Sequence, residues 1–452
     1  MAATFPYGFE YTSETGAAAE IIKTFYLDGI REAHYKATPL LSRLERQLPK
    51  KMIGTAAVFP VKWGFDPGSG PVVTEGGAVP AAGKISRDQA TVPIKELAHS
   101  IALSNKLIAC AKGDPFSFVD AVTDKVTNAS ESFNYQCDRQ LWGDGSGFLC
   151  EMADAAVGGS VAGYVIPVDY TSDLRLLFDG MYVDIMDDSS TTQYNNGVSY
   201  HAKVSAIVNS TASASASTGP RFTITLQSGT TWTAAPASQD CILAATNDLS
   251  VSRTYDHGAT SSNTYVEMMG LQGIISNADP TTGDLQGLDR ATYTQWQSNV
   301  RSASSNRPLT IKLMIQAAQD CSSRGGDPTA IYCDMDQLLS YSQLLTPDVR
   351  YTNLQDLTGG FKGLAFSFGG SKEIPIFGCK QCTPNRMYFV DESHLFFVQT
   401  GDIEWLPGAQ GNGMLTWDIG YAQKVGMLEW FANLATDHPG SSCALTYLEN
   451  PV

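Results

Sequence analysis

Residues 114–147 read DPFSFVDAVTDKVTNASESFNYQCDRQLWGDGSG, and this stretch decides the fold. Asp114 is a good N-cap, Pro115 takes the first helical position, where its missing N–H costs nothing, and Gly143 supplies the C-cap. Between them Val119, Val122, Val126, Ala129, Phe133, Cys137 and Leu141 recur at helical spacing. A helix from 115 to 142 would be about 42 Å long at about 1.5 Å per residue. A single apolar stripe on so long a helix predicts a strut lying across a sheet rather than a buried core element. The string Gly143-Asp-Gly-Ser-Gly147 reads as a turn. A phosphate-cradling loop would need a strand before it and Gly-Lys-Ser/Thr after it, and neither is present.

Upstream, residues 14–47 read as a jointed amphipathic arm. Ile21, Ile22, Phe25, Tyr26 and Ile30 fall at helical spacing, with breaks at Gly29 and Thr38-Pro39. Its second half puts Leu41, Leu44 and Leu48 on one face, beside Arg43, Arg46, Lys50 and Lys51, either as a solvated helix face or as a contact for an anion. Extended runs Met52–Lys62 and Gln89–Leu97 then flank a Gly/Pro-rich tip from Trp63 to Lys84. Connections inside compact domains are mostly about 4–6 residues, so a loop this long reaches out to something. Two strands alone are marginal in water, so the ribbon calls for a partner surface, most simply another copy of the chain.

Downstream, composition shifts near residue 155 towards Ser, Thr, Ala and Gly, and helical periodicity disappears until about 308. Short strands at 173–185, 200–208, 221–226 and 240–243 predict an inserted small β-barrel or sandwich, with the low-complexity segment 209–219 as an exposed hairpin tip. Helices over 308–322 and 335–345 flank a buried strand at 329–333 and imply an α/β layer. Glycine-broken β structure over 359–377, an alternating run over 386–398, and strands at 421–434 and 443–448 complete an α+β chain whose sheet borrows strands from distant segments.

The 452 residues are 43% hydrophobic and 10% aromatic, enough for a sizeable core, and the usual domain size suggests about three modules. With 30 basic against 46 acidic side chains the net charge is −16, which argues against a protein whose main work is gripping phosphate backbones. No window approaches the ~20 apolar residues of a membrane span. Glu10 and Glu14 stand where a secretory signal would be basic, so cytoplasmic synthesis is expected.

Chemistry is sparsely punctuated. Nine scattered cysteines read as reduced and mostly buried, and Cys379-Lys-Gln-Cys382 lacks the second pair that a zinc site needs. None of the histidines 34, 99, 201, 257, 394 and 438 sits in a catalytic motif; Asp256-His257-Gly258 reads as a loop, Gly360–Gly363 as a turn, and Asp334-Met-Asp336 as a helix N-cap. No catalytic residue, cofactor site or metal site is expected.

The order of these parts resembles the major capsid protein of tailed bacteriophages, with the Hong Kong 97-like or Johnson fold. The local text that carries the resemblance is Thr38-Pro-Leu-Leu-Ser-Arg-Leu44, Gln140-Leu-Trp-Gly-Asp-Gly-Ser-Gly147, Gly270-Leu-Gln-Gly-Ile-Ile275, Leu428-Glu-Trp-Phe-Ala-Asn-Leu434 and His438-Pro439. The resemblance implies an N-terminal arm at 1–50, an extended loop at 51–95, a spine helix with part of the peripheral domain at 96–155, and the inserted β domain at 156–256. It further implies a peripheral return at 257–304, an axial domain at 305–388, and peripheral and axial strands with the C-terminus at 389–452. Such a protein self-assembles, through hexamers and pentamers, into an icosahedral shell around packaged double-stranded DNA in the virion. Scaffold, portal and decoration proteins would be further partners, and DNA would be contacted only weakly. Leu41, Arg43, Arg46, Trp63 and Lys84 are the expected assembly residues. Some relatives cross-link this loop through a lysine, and Lys84 is the lysine nearest its tip; no partner for it is evident, and no covalent chemistry is expected. The alternatives are a nanocompartment shell on the same fold, a β-rich binding module such as an adhesin or tail component using Tyr194, Tyr200 and Trp232, and, third, an enzyme using Cys379, Cys382 or His394.

Overall fold

The computed structural model describes residues 39–44, 50–66, 68–71, 75–77, 81, 83–106, 121–152, 157–159, 163–168, 175–187, 202–208, 221–226, 237, 240–245, 265–277, 284–345, 365–368, 372–406, 415–417 and 421–450. The arm over 14–38, Arg46, the start of the strut helix, the segment 209–219, residues 256–258 and 360–363, and Tyr194, Tyr200 and Trp232 lie outside the described residues.

The strut is the helix Ala121–Trp142, and it packs on the strand Lys95–Ser104. Its stripe of Ala129, Phe133, Cys137 and Leu141 is buried, as helical spacing requires. The expectation of a helix wet on one side fails at its C-terminal end, where every residue from Cys137 to Trp142 is buried. The polar groups taken inside there have partners: Arg139 binds Gln136 and Glu267, Gln140 accepts from the Met268 N–H, and Asp138 accepts from Leu41 and Trp142. Buried polar groups persist only when so satisfied.

The strand beneath the strut is one edge of a six-stranded sheet. Its central member is the 14-residue strand Gln423–Thr436, antiparallel to Lys95–Ser104 in the register Gln423↔Ser104 to Ala432↔Lys95. Along its other edge lie Leu395–Gln399, Glu404–Trp405 and Thr416–Trp417 in succession, and Lys50–Lys51 adds to Leu395–Gln399 in parallel.

A second six-stranded sheet runs in the order Asn299–Arg301, Cys443–Leu445, Met387–Val390, Ala330–Cys333, Lys372–Gly378, Ala365–Phe368. Three of its inner strands, Cys443–Leu445, Met387–Val390 and Ala330–Cys333, are buried at every position, the mark of a sheet covered on both faces. The helix Ile311–Ser323 turns Met314, Ala317, Ala318 and Cys321 inward and is capped by Thr310, whose hydroxyl accepts the Leu313 N–H at 3.3 Å. The helix Met335–Leu345 packs on Lys372–Gly378. This is the α/β layer, with strands drawn from 299–301 and 443–445 as well as from the middle of the chain.

The Ser/Thr/Ala-rich region contributes a seven-stranded antiparallel sheet in the order Phe148–Glu151, Cys241–Ala244, Tyr182–Met186, Ala202–Val208, Arg221–Leu226, Gly163–Pro167, Val157–Gly159. It has its own core, including Leu149, Ile166, Val183, Ile185, Val204 and Ile242. Its first strand comes from upstream of the composition shift. A lone antiparallel bridge, Met152↔Val168, ties the end of that first strand to the end of the sixth. The strand expected over 173–185 is shorter than read: residues 175–176 form a helical turn, and Gly180 at φ +88° turns the chain before Tyr182.

The ribbon pairs Ala56–Trp63 with Ser86–Pro93, from Ala56↔Pro93 to Trp63↔Ser86. The single strand expected at 89–97 is in fact the junction of two, because pairing changes at Ile94 from the ribbon partner Ala56–Trp63 to the central strand Gln423–Thr436, and the chain continues as Lys95–Ser104.

Candidate functional site

The residues expected to mediate assembly divide into two groups, one at the foot of the arm and one along the ribbon. The helix Pro39–Leu44 buries Leu40, Leu41 and Leu44, and Leu41 is only 3% exposed, so it serves the core of this chain. Arg43 is fastened as well. Its Nε and Nη2 donate to the two carboxylate oxygens of Glu392, each at 2.6 Å, and its guanidinium lies 5.0 Å from the Phe377 ring centre. Glu392 also accepts from the Tyr332 hydroxyl at 2.5 Å and from the Thr329 hydroxyl at 3.2 Å. Burial pushes the Glu392 carboxyl up, but the Arg43 and Tyr332 donors outweigh it and hold the group below the usual carboxylate range. Burial and the neighbouring carboxylate raise the Tyr332 phenol. A bidentate, part-buried pair of this kind fixes the helix Pro39–Leu44 to the body. Arg43 therefore points inward rather than towards an anion or a scaffold.

Lys50 and Lys51 differ from it. The Lys50 ammonium sits 3.3 Å from the Phe396 ring centre, and Lys51 meets Asp402 at 2.8 Å in an exposed pair of little energetic weight.

Beside this anchor, Asp138 on the strut is buried. Desolvation pushes its carboxyl up to about 7, against the smaller opposing pull of the Trp142 and Leu41 donors. A carboxyl raised in the folded state binds its proton more tightly there than in the unfolded chain, so its contribution favours folding at low pH and falls as pH rises from about 4 to 7. Asp138→Asn is expected to flatten this part of the stability profile, read as urea midpoints at pH 5 and pH 8.

The ribbon presents one face to its own chain. Ala90 and Val92 are buried, and Phe59, Val61 and Trp63 pack against the core. The sequence reading placed that burial on a neighbouring copy; the chain itself supplies it. Trp63 donates from its indole N–H to Asp88 at 2.6 Å, stacks on Tyr293 with ring centres 4.5 Å apart, and meets Trp296 edge-on at 5.8 Å. This cluster marks where the ribbon leaves the body. Beyond it Phe65 is 95% exposed; the Gly68 N–H donates to Asp66, and a side chain at Gly68 would strike the Gly83 backbone at 2.7 Å. Lys84 is exposed on this tip, and Ile53, at 102%, and Val58 are exposed on the stem. Trp63→Ala should raise the rate of limited proteolysis within 64–85 roughly tenfold or more, because it removes a stacked pair and a charge-assisted hydrogen bond.

Elsewhere the eight described cysteines are buried and in no disulfide, and burial pushes the Cys379 and Cys382 thiols well up, the state of inert core thiols. Asp334 accepts the Met335 N–H at 2.8 Å, consistent with a helix cap. His394 pairs with Asp437 at 2.8 Å. Among the described residues no group of three or more His, Cys, Asp or Glu side chains could hold a metal ion, and no helix is long and apolar enough to cross a membrane. Glu392, Tyr293 and Trp296 were missed by sequence reasoning because nothing local ties them to Arg43 or Trp63.

No family model and no curated protein matches the chain in sequence. In structure, the chain matches one from the cyanophage A-1(L) capsid asymmetric unit with a TM-score of 0.53 and 14% identity, over 95% of this chain and 98% of that one. The chain has the Hong Kong 97-like capsid fold. Weaker similarities extend to the capsid of a native GTA particle, at TM-score 0.49 and 9% identity over 96% and 98% of the two chains. The holo-SrpI encapsulin complex from Synechococcus elongatus PCC 7942 follows at 0.40 and 8%, over 96% and 95%. In this Hong Kong 97-like chain the strut helix, the ribbon and the two six-stranded sheets form one mixed helix-and-strand body.

Proposed function

We propose that the chain is the major capsid protein of a tailed bacteriophage, a structural subunit without catalysis whose copies close into an icosahedral shell around double-stranded DNA. The observation that carries this reading is the likeness to a cyanophage capsid chain over nearly the whole of both chains. In this reading the protein belongs to the virion capsid, and its main partner is copies of itself, as hexamers and pentamers. Heterologous contacts repeated by rotation are what close rings and shells. Scaffold, portal and decoration proteins, and weakly held DNA, complete the proposed partners.

In this reading residues 1–50 are the arm, 51–95 the extended loop, 96–155 the spine helix and adjoining peripheral structure, 257–304 its return, 305–388 the axial domain and 389–452 the closing strands. Residues 156–256, with the strand Phe148–Glu151, form an inserted barrel, a reading supported by the Met152↔Val168 bridge across the sheet's ends. The exposed tip with Phe65 and Lys84 is the element offered to a neighbouring copy, while Leu41, Arg43 and Trp63 act on assembly by holding arm and ribbon in place. Arg46 is proposed to act with them.

Replacing residues 66–83 with a two-residue turn, and separately Phe65→Asp, should leave the far-ultraviolet spectrum and thermal midpoint of the subunit nearly unchanged while shells seen by electron microscopy fall at least about tenfold, as loss of a buried aromatic anchor implies. Wild-type yields of shells from both variants would remove the tip from assembly.

A further inference from the structure

The sheet around the central strand Gln423–Thr436 turns one face towards the strut, where Leu428 and Trp430 share a core with Phe133 and Leu141. The opposite face is covered only in part. Its end at Phe396, Val398 and Ala435 packs against Phe59 and Val92 of the chain's own ribbon. Further along, Phe431 is 37% exposed, Ser100 and Ala102 on the paired strand are exposed, and three glutamates stand in a row across the strands. Glu404 is the direct partner of Glu429, and Glu96, the partner of Phe431, lies beside Glu429 on the other flank. Residues paired in register point to the same face. Glu96 and Glu404 are exposed; Glu429 is buried, and that burial, with the charge of Glu96, raises its carboxyl.

The ribbon shows the same anomaly with the opposite sign. Its outer face, with Val58, Pro60, Lys62, Arg87 and Gln89, is exposed throughout, and Lys62 stands directly opposite Arg87. Like charges directly opposite each other destabilise a strand pair. Neither Lys62 nor Arg87, nor any of the three glutamates, makes an ion pair or side-chain hydrogen bond among the described residues. A lone subunit therefore holds a repelling acidic row and a repelling basic pair, each of which would neutralise the other. We propose that the outer face of one copy's ribbon docks on the open part of this sheet face in a second copy, with Lys62 and Arg87 meeting Glu96, Glu404 and Glu429 around Phe431. A second copy is the occupant because the complementary charge is on the chain itself, and because the open part continues the strip that the chain's own ribbon already covers. The inference rests on the reading that the ribbon is offered to a neighbouring copy, and it adds the surface that receives it.

The test follows association of the full-length chain by sedimentation velocity and electron microscopy at about 0.05 M and about 0.5 M salt, the higher of which should weaken the wild type. Lys62→Glu with Arg87→Glu should weaken association at least about tenfold, and so should Glu96→Lys with Glu404→Lys, since like charges then meet across the contact. The chain carrying all four changes, and an equimolar mixture of the two double variants, should each recover to within about threefold of wild type. Recovery in the mixture shows that the contact joins different copies. The dilute, unassociated subunit should respond in the opposite sense: Glu404→Lys and Arg87→Glu each relieve a repelling pair and should raise its thermal midpoint by about 1 °C. Glutamine at the same positions serves if a reversed chain fails to fold. Wild-type association by either double variant, or no recovery in both the mixture and the fourfold variant, would overturn the docking site and leave self-assembly standing. A wild-type chain that stays monomeric under every condition would overturn the site together with the reading beneath it.

Discussion

Gly270→Val is expected to abolish soluble folded protein, and Gly270→Ala to cost about 3 kcal/mol or more, above the usual range for overpacking. The reason is where the segment 265–275 passes. A Cβ at Gly270 would lie 2.5 Å from the carbonyl oxygens of both Gln140 and Gly143 and 2.7 Å from the Leu141 carbonyl carbon, all backbone atoms of the strut's last turn. None can rotate away as a side chain could. The segment is also pinned on either side: Met268 donates to Gln140, Met269 donates to Asn433 at 2.9 Å, and Gly273 donates to the Gly143 carbonyl at 3.4 Å. Relief would therefore separate the strut from the central strand Gln423–Thr436. Urea unfolding of the alanine variant measures the cost; a midpoint indistinguishable from wild type would show that the crossing is looser than the structure has it.

Arg43→Ala is expected to destabilise the chain by about 3 kcal/mol at pH 7, the cost of leaving a largely buried carboxylate without its cation. The residual donors Tyr332 and Thr329 keep the loss from being larger. The dependence on pH identifies the cause. In the wild type Glu392 is held below the usual carboxylate range, so the unfolded chain takes up its proton first as pH falls. The stabilisation is thus complete above about pH 5 and is lost as pH drops through the folded value. Without Arg43, burial of Glu392 is opposed only by the Tyr332 and Thr329 donors, which moves the group towards the protonated form, so the variant loses least in acid. The wild-type and Arg43→Ala midpoints in urea should differ most at pH 7 and converge towards pH 4. A difference independent of pH would assign the effect to lost packing on Phe377 rather than to charge.

Much of the architecture was readable from local pattern. The helix Met335–Leu345 has the bounds its periodicity gave, because Asp334 caps it and the apolar spacing is unbroken. The strands at 202–208, 221–226 and 241–244 fall within two residues of their expected positions, since turn residues bracket them. The strand Lys95–Ser104 was cut short at Leu97 because Lys95, Glu96 and His99 spoil its alternation; pairing along ten residues of the central strand overrides that local signal. Tertiary closure was not legible. Arg43 and Glu392 are 349 positions apart, and the stack of Trp63 on Tyr293 joins the end of a ribbon strand to a distant turn with no shared pattern. The placement of Arg43 and of the inner ribbon face inside the chain, rather than on a neighbour, follows from these long-range contacts alone.

The central claim is self-assembly, and electron microscopy of the purified protein over a range of concentration and salt, with light-scattering mass on the same samples, tests it most directly. Hexamers, pentamers, tubes or closed round shells are the expected result. A single species at the subunit mass of 48.6 kDa under every condition, including coexpression with candidate scaffold proteins, would contradict it.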